Sequence, residues 1–329
     1  MFWKFGIAAP SPIYTLLESE DVSLQAILDQ DDVLQECRSR NHDLIEYLSQ
    51  PKNVEALLRL VVEEPSTEIE ETIRFKHPAT AAEIISCDIP QILDQLAESQ
   101  SMLDTVMDFV ETERELNPLM ASFVSKTLGI LVAKKPEKIW ERMKIKDKFL
   151  QNLVRHLGTS AVMDLLFRFL CGIEGELRDP ITEWLIGQNL LNQIAMLFAP
   201  GTNPNQASNA AQLLCDIIES NRARWLQDYK NQEELKPEAN MKLLDAVESL
   251  EFAQVLLDHM FGTSEVKVEG QREESMATEK SEGESDAAGE KQTAEEEENT
   301  KLVRDGKLEV PIVSGISVIL SLLSPKTLE

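Results

Sequence analysis

The sequence predicts an all-α protein, an armadillo- or HEAT-like helical-repeat solenoid that carries a disordered acidic loop. Three observations predict it: a composition of helix formers poor in aromatic residues, an apolar stripe that returns at repeat-like intervals, and one acidic stretch almost without apolar content.

Hydrophobic residues make up 43% of the 329 positions but aromatic ones only 5%, so Leu, Ile, Val, Met and Ala must build the core. That mixture suits helices better than sheets. The stripe has apolar residues at offsets 0, 3, 4 and 7, one face of an amphipathic helix. It occurs at Val54, Leu57, Leu58, Val61; at Leu103, Val106, Met107, Val110; at Leu150, Leu153, Val154, Leu157; at Leu191, Ile194, Ala195, Phe198; and at Ala253, Leu256, Leu257, Met260. The starts are 49, 47, 41 and 62 residues apart, and HEAT and armadillo units repeat every ~40–47 residues. A second helix built around small residues follows several stripes, as at Ala81-Ala82-Glu83-Ile84-Ile85, at Val162 to Leu166 and at Ala210 to Leu214. Small side chains let stacked helices approach closely.

Asn117-Pro118, Asp179-Pro180 and Asn203-Pro204 announce helix starts, because a side-chain oxygen can cap free N–H groups while proline presets φ at the first helical position. After the first of these, Leu119, Phe123, Leu128 and Leu131 are expected on one face. Val162, Leu165, Leu166 and Phe169 form another. Polar residues from Asn221 to Pro237 predict a break in the helical run.

Residues 263–308 hold the acidic stretch, including Glu295 to Glu298. It cannot bury enough apolar surface to offset its conformational entropy, so it is expected to be disordered. The domain organisation expected is therefore a helical-repeat domain over 1–262, the insertion over 263–308, and a capping helix of the same domain within 309–329. Ser281 and Thr293, each followed three residues later by glutamate, match acid-directed phosphorylation sites.

With 58 acidic against 32 basic side chains the formal charge is -26, which repels polyphosphates and anionic lipid surfaces. Nucleic acid and membrane insertion are thus not expected as partners. Cys37, Cys87, Cys171 and Cys215 lie far apart without local histidines, which is no metal-ligand spacing and reads as buried thiols in a reducing compartment. The cytoplasm is the expected location, the nucleus the second compartment open to the chain.

Phosphate-cradling GxxxxGK[ST] and GxGxxG motifs, HExxH and GxSxG are missing, so no enzyme chemistry, cofactor or metal is expected. His156 and His259 fall at one offset of two stripes, which suggests packing at a helix edge. Paired carboxylates such as Asp31-Asp32 point to different sides of a helix and read as solvated surface. Asp164 and Arg168 stand four apart, as an intrahelical ion pair or as a polar stripe for a partner.

Four segments together resemble one family: Met1-Phe2-Trp3-Lys4-Phe5; Asp31-Asp32-Val33-Leu34-Gln35-Glu36-Cys37 followed by Asn41; Asn117 to Phe123 with Ser125-Lys126-Thr127; and His156 to Leu166. The chain resembles the SAPS domain of the regulatory subunits of serine/threonine protein phosphatase 6, from Met1 to about Phe261 and again over Ile312 to Leu323. The resemblance implies a non-catalytic scaffold that binds the phosphatase catalytic subunit, with an ankyrin-repeat regulatory subunit as a further partner, and brings the enzyme to its substrates. A competing reading is an acidic helical adaptor carrying basic protein cargo. Candidate interface residues are Trp3, whose aromatic cluster either anchors a partner or staples the N-terminus onto the first helices, and, on the outer sides of second helices, Lys126, Asp164, Arg168, Asn209 and Asp216.

Overall fold

A computed structural model of the chain describes residues 12–19, 22–231, 242–262 and 309–324. Among these residues there are helices and turns and no strand. The expected acidic insertion, Trp3 with its aromatic neighbours, Ser281 and Thr293 lie outside the described residues. The chain divides between Gly187 and Gln188 into two compact units.

The first unit begins with short helices α1 (Pro12–Leu17), α2 (Leu24–Leu28), α3 (Val33–Arg38) and α4 (His42–Leu48). It continues with α5 (Pro51–Val62), α6 (Glu71–Arg74), α7 (Lys76–Ser86), α8 (Pro90–Glu98) and α9 (Gln100–Asp108), which a 3-10 turn extends to Glu111. Then come α10 (Pro118–Lys134), α11 (Pro136–Ile145), α12 (Phe149–Arg155), α13 (Ser160–Cys171) and α14 (Arg178–Gly187). Helices α7, α10 and α13 lie side by side in a row, with α10 in the middle. On the other layer α5 packs on α7, α8 and α9, while α11 packs on α8 and α9.

The apolar stripes explain this stacking. All four residues of the stripes starting at Val54, Leu103 and Leu150 are buried, as are Ala81, Ala82, Ile84 and Ile85 of α7 and Val162, Leu165, Leu166 and Phe169 of α13. No single helical pair could cover both its faces, so each pair is completed by the next. Asn117 caps α10 as expected: its Oδ1 accepts from the backbone N–H of Leu119 and Met120 at 3.0 and 3.4 Å.

Polar side chains repeat the same period. Lys138 pairs with Glu98 at 3.3 Å, Arg142 Nε donates to Asp104 at 2.6 Å, and Lys135 reaches Asp94. Lys146 gathers Asp108, Asp104 and Glu111. Acids of α8 and α9 thus face bases of α11 about one repeat later. A longer chain of links runs through Asp88, whose carbonyl accepts from Arg40 at 3.0 Å and whose carboxylate pairs with Lys134 at 2.6 Å. The partners are separated by 35 to 48 residues, about the length of one repeat. Burial alone lowers the Lys146 ammonium; the hydrogen bonds and charges of Asp108 and Glu111 outweigh it and hold the group above its usual value.

The second unit holds α15 (Leu190–Ala195), a 3-10 turn to Phe198, α16 (Pro204–Asn231), α17 (Lys242–Val247), α18 (Leu250–Phe261) and α19 (Glu309–Leu323). α19 packs along α16 and touches α18. Cys215 and Arg222 of α16 both reach backbone carbonyls of α19.

Several expectations are corrected here. Leu119 is exposed, and the buried face of α10 runs through Met120, Ala121, Val124, Leu128 and Leu131, because its flanking helices cover the adjacent side. The Asp179-Pro180 pair does not open its helix: α14 starts at Arg178, directly after a 3-10 turn over Gly175–Leu177, so Asp179 sits inside the first turn. Asn221 does not break α16. Its amide donates back to Ile217 O at 2.7 Å, and the helix continues to Asn231, while residues 232–237 of the expected break lie outside the described residues. In the last stripe Leu257 points outward, and the buried row of α18 is Phe252, Leu256 and Met260.

Candidate docking face

The row α7–α10–α13 presents one polar stripe to solvent, and it contains three of the candidate interface residues. On α10 the positions 119, 122 and 126 follow one another at three- and four-residue steps, so Leu119, Ser122 and Lys126 share a side, all exposed. On α13 Ser160, Asp164 and Arg168 do the same. Lys126 reaches back across the row to Glu83 of α7.

Arg168 and α10 meet at Gly129. A Cβ placed there would lie 3.0 Å from Arg168 Cδ and 3.3 Å from its Nε. The missing side chain leaves the groove that the arginine stem occupies, which covers apolar surface while the charged head stays in water. This explains why the expected intrahelical pair is not formed: Arg168 leans across to α10, and no ion pair joins it to Asp164. Asp164 stands exposed. The result is a surface of alternating charge, Glu83, Lys126, Asp164 and Arg168, on a rigid platform of buried Leu128, Leu165 and Phe169. The described side chains of this array include no nucleophile paired with a base.

Beneath this face Thr127 is fully buried and its Oγ1 has no hydrogen-bond partner. His156 is buried at the end of α12 and binds the carbonyl of Thr112 through Nε2 at 2.8 Å, which ties two successive repeats together and fits the packing role read from its position.

Asn209 and Asp216 lie half-buried on α16, in the second unit. Asp216 accepts from Gln212 Nε2 at 2.7 Å. The structure therefore gathers Lys126, Asp164 and Arg168 on one surface, while Asn209 and Asp216 belong to another unit. Leu119, exposed on the same stripe, was missed as a candidate because an apolar residue after a helix start reads as core.

Burial pushes the Cys37 thiol up to about 12, with the nearby Cys87 adding to the effect. Cys87 and Cys215 are also raised, chiefly by burial. Among the described residues there is no group of three or more His, Cys, Asp or Glu able to hold a metal ion, and no helix long and apolar enough to cross a membrane.

Residues 128–328 match the family model described as SAPS, SIT4 phosphatase-associated protein. The chain is 41% identical over 262 residues to mouse serine/threonine-protein phosphatase 6 regulatory subunit 2, covering 79% of this chain and 28% of that protein. It is 36% identical over 327 residues to human regulatory subunit 1, covering 99% of this chain and 32% of the relative. A fission-yeast protein named extragenic suppressor of kinetochore protein 1 is 30% identical over 231 residues, 66% of this chain and 28% of its own. The chain thus spans about three tenths of the length of these relatives. No solved structure matches it. The helical fold agrees with these matches, and they lead to one conclusion: the chain belongs to the SAPS family of SIT4 phosphatase-associated proteins.

Proposed function

We propose that this chain is a regulatory scaffold that binds the catalytic subunit of protein phosphatase 6 and brings it to its substrates in the cytoplasm. The observation that carries the reading is the 41% identity to a protein named as a regulatory subunit of that phosphatase, over 79% of the chain. The physics is that of a tether: holding enzyme and substrate on one support turns a bimolecular encounter into an intramolecular one. No chemistry of its own is required, and an ankyrin-repeat subunit fits the same scheme as a second passenger.

The alternating charges of Lys126, Asp164 and Arg168 are the favoured contact surface, since exposed charges set orientation and specificity in docking. The test is a titration of purified catalytic subunit against the full chain and against the double charge reversal Asp164→Lys with Arg168→Glu, with helicity checked by circular dichroism. Binding by the parent chain and at least about tenfold weaker binding by the variant is the expected result. A parent chain that does not bind overturns the scaffold reading. Binding that the double reversal leaves unchanged moves the interface away from the α10–α13 stripe.

A further inference from the structure

We propose that Thr67, on the turn between α5 and α6, is a phosphorylation site for an acid-directed serine/threonine kinase. Six hydroxyl residues among those described have an acidic residue three positions later: Thr15, Thr67, Thr80, Ser101, Thr105 and Thr112. A kinase must draw the acceptor hydroxyl into its own active site, which an exposed turn permits and a packed helix resists. Thr15, Thr80, Ser101 and Thr105 lie within helices, where Thr80 and Thr105 also donate to carbonyls four residues back. Thr112 is half-buried; its Oγ1 accepts from the Arg114 N–H at 3.1 Å and its carbonyl holds His156. Thr67 alone of the six is both exposed and outside a helix.

The turn is held at its base and open at its tip. Arg74 Nε donates to the Pro65 carbonyl at 3.2 Å, and its Nη2 donates to Glu64 Oε1 at 3.2 Å. Asn117 Nδ2 donates to the same Glu64 oxygen at 2.8 Å, which ties the turn to the start of α10. Beyond these anchors Ser66 to Glu70 are all exposed, and one backbone hydrogen bond, from the Ile69 N–H to Ser66 O at 3.2 Å, closes the tip. Ser66 Oγ is occupied, accepting from the Glu68 N–H at 3.2 Å. The Thr67 hydroxyl has no hydrogen-bond partner among the described residues.

Glu68 and Glu70 follow Thr67 at the first and third positions, and Glu63 and Glu64 precede it, all exposed. Arg74 is the one base between Arg59 and Lys76, and Glu64 already engages it. The countercharge for this segment therefore has to come from the enzyme, which selects a kinase with a basic substrate groove and rejects one whose groove is acidic. In the transfer, Thr67 Oγ1 bonds to the γ-phosphorus of ATP as the bond from that phosphorus to the bridging oxygen breaks. ADP leaves, and the hydroxyl proton passes to a carboxylate of the kinase. The product adds a charge of about -1.5 to -2 to the turn.

The test incubates the full chain with magnesium ATP and a purified acid-directed kinase, beside a synthetic peptide of residues 60–74. Trypsin cuts after Arg59 and Arg74, so one fragment carries Ser66, Thr67 and Thr72, and its fragmentation in the mass spectrometer assigns the phosphate. Phosphate is expected on Thr67 of the folded chain, and Thr67→Ala should leave the fragment unmodified. Glu70→Lys should slow the reaction at least about tenfold with circular dichroism unchanged, while Glu70→Asp restores it. The same two substitutions in the peptide read the role of this acid without any fold to disturb. A peptide that is modified while the folded chain is not overturns the proposal, because the turn is then closed to the enzyme. Phosphate on Ser66 or Thr72 instead, a rate indifferent to Glu70→Lys, or no phosphate on either substrate also overturns it.

Discussion

Arg222 is the side chain on which the placement of α19 depends. It is 14% exposed, pairs with Glu248 at 2.8 Å, and donates to the carbonyls of Ser321 and Leu322 at 2.8 and 3.0 Å. Those two carbonyls belong to the last turn of α19, where helical C=O groups lack partners and the helix dipole presents its negative end. Replacing Arg222 by Met keeps the length of the stem and its packing while removing the charge and all five donors. Hydrogen bonds from a charged donor contribute about 1.5–3 kcal/mol, and a cation at a helix C-terminus adds about 0.3–1 kcal/mol. Recovered desolvation of the guanidinium offsets part of this, so a net loss of about 3 kcal/mol is expected, roughly a hundredfold in the opening equilibrium of α19. Hydrogen–deuterium exchange followed by mass spectrometry reads it directly: amides of residues 309–323 should lose about two orders of magnitude of protection while peptides of α7 and α10 stay unchanged. Arg222→Lys, which keeps the charge but not the fork, should fall between. Protection of α19 within threefold of the parent would refute the claim that this residue anchors it.

Three further outcomes follow from single sites. Thr127→Val replaces a buried, unpartnered hydroxyl by a methyl of the same shape, and should stabilise the protein by about 1 kcal/mol in urea denaturation; an equal loss would reveal a partner for that oxygen. Asp29 accepts from His77 at 2.9 Å and from Lys76 at 3.2 Å, and these bonds hold its carboxyl below the ordinary value. Its contribution is present above about pH 4 and is lost as pH falls through the depressed value, so the stability difference between the parent and Asp29→Asn should shrink below about pH 4. Cys37, pushed up to about 12 by burial, should resist alkylation in the native protein at about pH 8 and react at the ordinary thiol rate in denaturant; fast native labelling would show that it is not buried.

Features that depend on neighbours along the chain are legible in the residues alone. The stripes at Val54, Leu103 and Leu150 repeat at helical spacing, so each had to lie on one side of a helix, and their intervals announced the stacked pairs. Asn117 and Asn203 cap their helices because the carboxamide oxygen and the proline that follows act within one turn. Tertiary structure decided which side faces in when more than one side is apolar. Leu119 and Leu257 satisfy the periodicity and still end in water, since the neighbouring helices cover another face. Arg168 could meet Asp164 four residues away, but the space left by Gly129, 39 positions earlier in the chain, takes its stem instead. The polar run after Asn221 reads as a break, yet in its described part α16 continues to Asn231, and Arg222 within it finds acceptors in α19 about 100 residues later. Local periodicity fixes the angle between side chains around one helix; the partner surfaces, brought from distant parts of the chain, select which of those angles is buried.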